Sequence, residues 1–320
     1  MKMVVTGASG LLGREAALSA LRRGHQVVAI GGARDPVIPG VLKSVRMNLA
    51  DAPAVTALML EEFPEAVINC AALPTVDGCE RDPEKARLLN TELPKQLAEL
   101  AFHVGAKLVH VSTDMVFDGV DGRYGHTSTP RPLSVYGSTK AAGEVAVLRA
   151  GREHAAVIRT ALLNGNSPGG DRSLHERLFL AWSNGEKTPL FTDEIRQPVG
   201  LSNLADALVE VCERNTLSGV YHWAGGDALS RHEIGARILR HFALDPSLIT
   251  PAQSGAPASR SLRPRDLSLS LVPLAGKMKT PVQTFEEQLS ELRVPRGREA
   301  WYESVTGRKV VRRLEKGLDF

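Results

Sequence analysis

Lys2-Met3-Val4-Val5-Thr6-Gly7-Ala8-Ser9-Gly10-Leu11-Leu12-Gly13 follows the first methionine, and its reading decides the fold. Residues 2–6 are a short β run that turns at Gly7. From residue 10 to 23 the apolar positions Leu12, Ala16, Ala20 and Leu21 recur with helical spacing. Gly7, Gly10 and Gly13 therefore stand between a strand and a helix. Without side chains they let the backbone turn tightly and approach a pyrophosphate, and the helix amino terminus offers free N–H groups to that anion. The loop, with Ser9, Leu11 and Leu12, reads as a dinucleotide site.

Outward from this loop, strand and helix alternate. Gly24 ends the first helix and 26–30 is a second β run. A third is expected at 44–47, followed by a helix over 52–63. Ala66-Val67-Ile68-Asn69-Cys70 is a buried strand by its apolar run. A long helix is expected from about 83 to 103, a strand at 107–112, a helix at 135–150 and a strand at 155–159. This alternation implies an α/β, Rossmann-type, doubly wound parallel sheet. The second half is less regular. Helices are expected near 174–182, 203–214, 231–242 and 285–292, a strand at 219–223, and a loop rich in Pro, Ser, Ala and Gly at 251–264. Residues 1–165 are expected to form the dinucleotide-binding domain, with the chain returning to it around 195–224. Residues 166–320 would form mainly a smaller carboxyl-terminal substrate-binding domain. The basic stretch at 293–316 reads as a solvated tail.

The end of the second strand discriminates between cofactors. An acidic residue there would bind a ribose 2′-hydroxyl. This chain has Gly31-Gly32-Ala33-Arg34. Arg34 pairs well with a 2′-phosphate, which favours NADP(H) over NAD(H), although Asp35 follows immediately. Asn48, after the third strand, is expected to face the adenine. Cys70-Ala71-Ala72 leaves room for the cofactor's bridging ribose.

Tyr136-Gly137-Ser138-Thr139-Lys140 places a phenol and an ammonium four residues apart on one helix face. An ammonium held there lowers a tyrosine pKa and makes it a usable proton donor. Ser112-Thr113-Asp114 ends the preceding strand, where parallel sheets line their ligand crevice. The expected roles are Thr113 polarising a substrate carbonyl, Tyr136 donating the proton, and Lys140 lowering the Tyr136 pKa while holding a ribose. Ser112, Tyr136 and Lys140 also count as cofactor contacts. Asp114 is either a turn former or a ligand for a substrate hydroxyl.

Of the 320 residues, 43% are hydrophobic and 23% charged, an ordinary globular composition. The net charge of +3 does not suggest a nucleic-acid partner, and no apolar run approaches the ~18 residues of a membrane span. The opening residues read as a strand rather than a signal peptide. Cys70, Cys79 and Cys212 show no metal-like spacing, so no metal site is expected. They read as reduced thiols of a cytoplasmic protein, with Cys70 a small core residue.

These residues resemble the extended short-chain dehydrogenase/reductase family, and within it the dTDP-4-dehydrorhamnose reductases. The likeness runs through the glycine loop, Asn69-Cys70-Ala71-Ala72, Val76-Asp77-Gly78-Cys79-Glu80 and Asn90. It continues through Val111-Ser112-Thr113-Asp114-Met115-Val116-Phe117-Asp118-Gly119, the Tyr136–Lys140 pentad, Ile158-Arg159-Thr160, Gln197-Pro198-Val199, Gly219-Val220-Tyr221-His222 and Arg263-Pro264-Arg265-Asp266. The resemblance implies NAD(P)H-dependent reduction of a 4-keto-6-deoxy nucleotide-sugar. It places Asp114 and Met115 by the sugar and Arg263 and Arg265 by its diphosphate, and it makes a homodimer conceivable. Two positions depart from the family. Met115 stands where a tyrosine is usual and Leu162 where a tryptophan is frequent, which leaves the sugar open. The regulatory β subunit of methionine adenosyltransferase shares the fold and many of the motifs, so a non-catalytic NADP-binding role is the alternative. A dehydratase would need an acid at the position of Met115.

Overall fold

The computed structural model describes residues 1–254 and 264–310. Seven parallel strands form one sheet in the order β11-β6-β5-β4-β1-β2-β3. They are β1 (Lys2–Thr6), β2 (Gln26–Gly31), β3 (Lys43–Arg46), β4 (Ala66–Asn69), β5 (Lys107–Thr113), β6 (Ala155–Thr160) and β11 (Gly219–His222). Among the described residues three two-stranded pairs accompany this sheet: β7 (Leu163–Asn164) with β10 (Val199–Gly200), β8 (Thr188–Phe191) with β13 (Ile249–Ala252), and β9 (Ile195–Arg196) with β12 (Leu229–Ser230). The sheet is the doubly wound one expected. Its central strands are buried almost throughout because both faces are covered.

One face packs on α1 (Leu11–Arg22) and α8 (Leu201–Cys212), through Ala16, Ala20, Leu204 and Leu208. The other packs on α2 (Ala52–Glu62), α5 (Leu93–Val104) and α6 (Val135–Gly151), through Leu58, Leu97, Ala101 and Val147. The helix starts follow from side-chain caps. Asp51 accepts from the Ala54 N–H and Ser134 from the Gly137 N–H, each satisfying a donor that the helix leaves over. A separate aromatic core surrounds Phe179 and Trp182 of α7 (Leu174–Ser183), with Phe242 after α9 (Arg231–His241), Phe285 of α10 (Phe285–Glu291) and Tyr302 of α11 (Glu299–Thr306). Each such ring buried stabilises the fold by ~1.5–3 kcal/mol.

The structure revises three expectations. The single helix expected over 83–103 is divided into α4 (Pro83–Arg87), a π turn (Leu88–Glu92) and α5, with α3 (Val76–Arg81) before them. Pro94, in the first turn of α5, has no N–H to donate one turn back, and the wider π turn absorbs the break. Part of the expected 251–264 loop is strand β13. Cys70 is only half-buried, whereas Cys79 and Cys212 are the thiols enclosed in the core.

Candidate functional site

The glycine loop joins β1 to α1 beneath the turn that ends β4. Gly7 has φ +68°, and a Cβ on it would lie 2.7 Å from the Ala71 nitrogen and 2.8 Å from the Cys70 carbonyl. A Cβ on Gly13 would lie 2.3 Å from the Gly7 oxygen. Bare backbone is therefore required for the loop to close, as expected of a phosphate cradle. Gly10 caps α1 without a side-chain hydrogen bond, so the first-turn N–H groups of a twelve-residue helix stay open to an anion. Leu12 is buried and Leu11 half-buried against the same core, which fixes the loop to the sheet. The residues present fit a dinucleotide pyrophosphate.

The rim of the crevice carries more positive charge than the sequence reading recognised. Arg34 is exposed beyond β2. Arg46, at the end of the adjacent β3, lies 3.6 Å from Asp35, so the acid that follows Arg34 has a cation of its own. From the second half of the chain, Arg172 donates to the Ser9 carbonyl at 3.2 Å. Asn48 is exposed, and its side chain accepts from the Ala50 N–H at 3.1 Å in a local turn. Ala71 is buried and Ala72 half-buried.

Thr113, Asp114 and Tyr136 meet where β5 ends. Gly137 brings the helix in: a Cβ there would lie 2.3 Å from the Met115 carbonyl, so α6 starts in direct contact with the turn after β5. The Thr113 hydroxyl accepts from the Met115 N–H at 3.1 Å and donates to Asp114 Oδ1 at 3.0 Å. It also lies near enough to the Tyr136 phenol to favour that group's ionisation. Asp114 is 5% exposed, and burial pushes its carboxyl up to about 6 against the opposing pull of Arg196, the Thr113 bond and Arg231. Met115 is half-buried against Val116, Phe117 and Leu269, and Leu162 against the aromatic core.

The expected lowering of the Tyr136 pKa is not found. Burial pushes the phenol up to about 12, with only the Thr113 hydroxyl acting the other way, and Lys140 contributes nothing. The reason is where the lysine points. Its Nζ lies 2.6 Å from the Val111 carbonyl and 3.2 Å from His110 Nε2, on the interior side. Lys140 is 2% exposed, and burial pulls it down to about 8. In the free chain the phenol is protonated at neutral pH, as an ordinary tyrosine is, and its lysine does not ease its ionisation.

Around the site the structure corrects one expected contact, Ser112, and adds Glu144, Arg159, Arg196 and His110, which the sequence reading did not assign to it. Ser112 is bonded at 2.5 Å to Glu144, which also holds Arg159 at 2.7 Å, so its hydroxyl serves the interior of the fold. Arg196 donates to the carbonyls of Pro264 at 3.0 Å and Arg265 at 3.1 Å, securing the segment that carries Arg265. Arg265 itself is exposed, and Arg263 lies outside the described residues. His110 sat inside an apolar strand reading, and its only signal was a polar residue in a run of core positions. Among the described residues no cluster of candidate metal ligands occurs, and no helix is long and apolar enough to cross a membrane.

A parallel Rossmann-type sheet, a glycine cradle after β1 and a Thr/Tyr/Lys set at β5 and α6 together define the extended short-chain dehydrogenase/reductase class. The chain belongs to the RmlD substrate binding domain family, whose profile matches residues 1–294. It is 34% identical over 270 residues to the dTDP-4-dehydrorhamnose reductase of Streptomyces griseus, covering 82% of this chain and 84% of that protein. It is equally 34% identical over 256 residues to methionine adenosyltransferase 2 subunit beta of Xenopus laevis, covering 78% and 75%. The crystal structure of a dTDP-4-dehydrorhamnose reductase from Clostridium acetobutylicum superposes with a TM-score of 0.78 at 26% identity, over 91% of this chain and 98% of that one.

Proposed function

We propose that this chain reduces the 4-keto group of a dTDP-4-keto-6-deoxyhexose with NADPH, Tyr136 donating the proton. The observation that supports this most directly is the meeting of Thr113 and Tyr136 at the carboxyl end of β5, where Gly137 lets α6 start against the turn after that strand. The similarity to named dTDP-4-dehydrorhamnose reductases points the same way.

The cofactor, when bound, supplies the hydride. Its pyrophosphate would be held by the loop of Gly7, Gly10 and Gly13, and its 2′-phosphate by Arg34 with Arg46. Thr113 and Tyr136 offer two hydroxyl donors to the ketone oxygen, where negative charge develops during reduction. Tyr136 passes its proton to that oxygen, and the phenolate left behind is the charge that Lys140 would stabilise once it has taken a proton from solvent and turned away from Val111 and His110. The Thr113 hydroxyl has a single proton, and in the free chain it is given to Asp114. Turning that proton to the substrate is favoured once Asp114 is itself protonated.

The test is NADPH oxidation with dTDP-4-dehydrorhamnose. The wild type should turn over, and Tyr136→Phe should lose ~100-fold or more of kcat. No turnover, or a Tyr136→Phe variant as active as the wild type, overturns the reading. The similarity to the methionine adenosyltransferase β subunit, together with Met115 and Leu162, supports a second reading as a non-catalytic NADP-binding subunit. NADP binding with no reduction of any keto-sugar nucleotide, and a stable complex with a protein partner, would favour it.

A further inference from the structure

We propose that Ala71, Asn69 and His110 form a directional hydrogen-bond chain that fixes His110 as its Nε2–H tautomer and so holds Lys140, in the free chain, as a neutral amine. The Ala71 backbone N–H can only donate, and it reaches Asn69 Oδ1 at 3.2 Å. The Thr6 hydroxyl donates to the same oxygen at 2.6 Å. That fixes which end of the Asn69 amide is oxygen, the assignment that atom positions alone leave ambiguous. The amide NH₂ then faces His110 Nδ1 at 3.0 Å. A ring nitrogen opposite an NH₂ must accept, so Nδ1 carries no proton. In a neutral imidazole the proton is then on Nε2.

Nε2–H points at Lys140 Nζ, 3.2 Å away, and the only other polar atom bonded to Nζ among the described residues is the Val111 carbonyl oxygen at 2.6 Å. An ammonium has three donors and no acceptor, so it would set N–H against N–H. A neutral amine fits both contacts: its lone pair accepts from His110, and one of its N–H groups donates to Val111.

The surroundings agree. His110 is 0% and Lys140 2% exposed. The titratable groups facing Lys140 are Cys70 after β4, Cys79 on α3, His110 on β5 and Glu144 on its own helix, with Tyr136 and Asp114 toward the crevice. Burial raises both thiols and keeps them neutral. Glu144 is already committed to Arg159 and Ser112. No carboxylate among the described residues lies within ion-pair distance of Nζ, and burial lowers the pKa of both groups, Lys140 to about 8; the His110 N–H set against Nζ is what carries that of the amine below neutrality. On the reductase reading, His110 is a positioning residue: Lys140 must leave it when it takes up the proton that stabilises the Tyr136 phenolate.

The test is two-bond ¹H–¹⁵N spectroscopy of the ¹⁵N-histidine-labelled full chain at neutral pH, without ligand. The expected result is a pyridine-type Nδ1 and a pyrrole-type Nε2 for His110. A pyrrole-type Nδ1 overturns the proposal. Asn69→Asp, of the same size, replaces the NH₂ with an acceptor. It should reverse the tautomer to Nδ1–H and raise the Lys140 titration by ~1 pH unit or more. The other eight of the nine histidines report that the variant is folded. A folded variant with an unchanged tautomer overturns the chain of control. No turnover enters either measurement, so failure of the reductase reading is a separate result.

Discussion

Arg159 and Glu144 form an ion pair of 2.7 Å with side chains only 4% and 3% exposed, joining β6 to the helix that carries Tyr136 and Lys140. Glu144 also receives the Ser112 hydroxyl of β5, and Arg159 lies 5.0 Å over the Phe117 ring and 3.4 Å from His222. The pair thus seats α6 on two strands at the level of the site. Removing one partner strands a buried charge. Glu144→Gln should therefore cost ~3–5 kcal/mol in urea unfolding, and Glu144→Leu combined with Arg159→Met should recover most of that loss. A loss below ~1 kcal/mol for the single variant, as at an exposed pair, would mean that water reaches the site.

Gly7 separates backbone strain from steric exclusion. Gly7→Ala incurs ~1–2 kcal/mol for a side chain in the left-handed region. It also drives a Cβ to within 2.7 Å of the Ala71 nitrogen. Gly24 is a matched control, with φ +79° and nothing within 4 Å of its Cβ position. Both alanine variants should lose stability by thermal unfolding, Gly7→Ala by more. Only Gly7→Ala should lose dinucleotide binding in calorimetry. Equal binding by the two would show that the loop is not the phosphate cradle.

Asp114 gives a pH dependence of definite sign. Its ordinary value is 3.8, and in the folded chain it is pushed up to about 6. Between those values the folded chain binds more protons than the unfolded one, so this residue's contribution to stability falls as pH rises through that window. Above it the buried charge costs about 3 kcal/mol. Asp114→Asn keeps an oxygen for the Thr113 hydroxyl and removes the ionisation. Its stability relative to wild type should rise from near parity at pH 4 to a clear gain at pH 7. A difference that stays flat with pH would show that Asp114 does not titrate as its burial requires.

The parts of this molecule legible in its sequence are those set by local pattern. Val4, Val5, Ile68 and Val109 are apolar because both sheet faces are covered, and the glycine spacing marks the strand-to-helix turn. What stayed hidden depends on distant partners. Lys140 is four residues from Tyr136, yet its nitrogen is claimed by His110 and Val111, thirty and twenty-nine positions away. Ser112 reads as a crevice residue until Glu144 is seen to take its hydroxyl. Pro94 could have warned of the break in the long helix, since a proline inside a helical pattern removes a hydrogen bond one turn earlier.

The rim beyond β2 and β3 carries the prediction for cofactor choice. Arg34 is exposed with no acidic neighbour bonded to it among the described residues, while Arg46 shares Asp35 at 3.6 Å. A 2′-phosphate would find one free guanidinium and a second that the exposed Asp35 holds only loosely. A hydrogen bond to a charged group is worth ~1.5–3 kcal/mol. Arg34→Ala should therefore weaken NADPH binding by ~10–100-fold and leave NADH nearly unchanged. Arg46→Ala should have a smaller effect, because Asp35 already offsets part of that guanidinium's charge. Calorimetric titration of each variant with both nucleotides separates the terms. If Arg34→Ala weakens both equally, the residue acts on a part of the cofactor common to the two, and the preference for NADP(H) loses its basis.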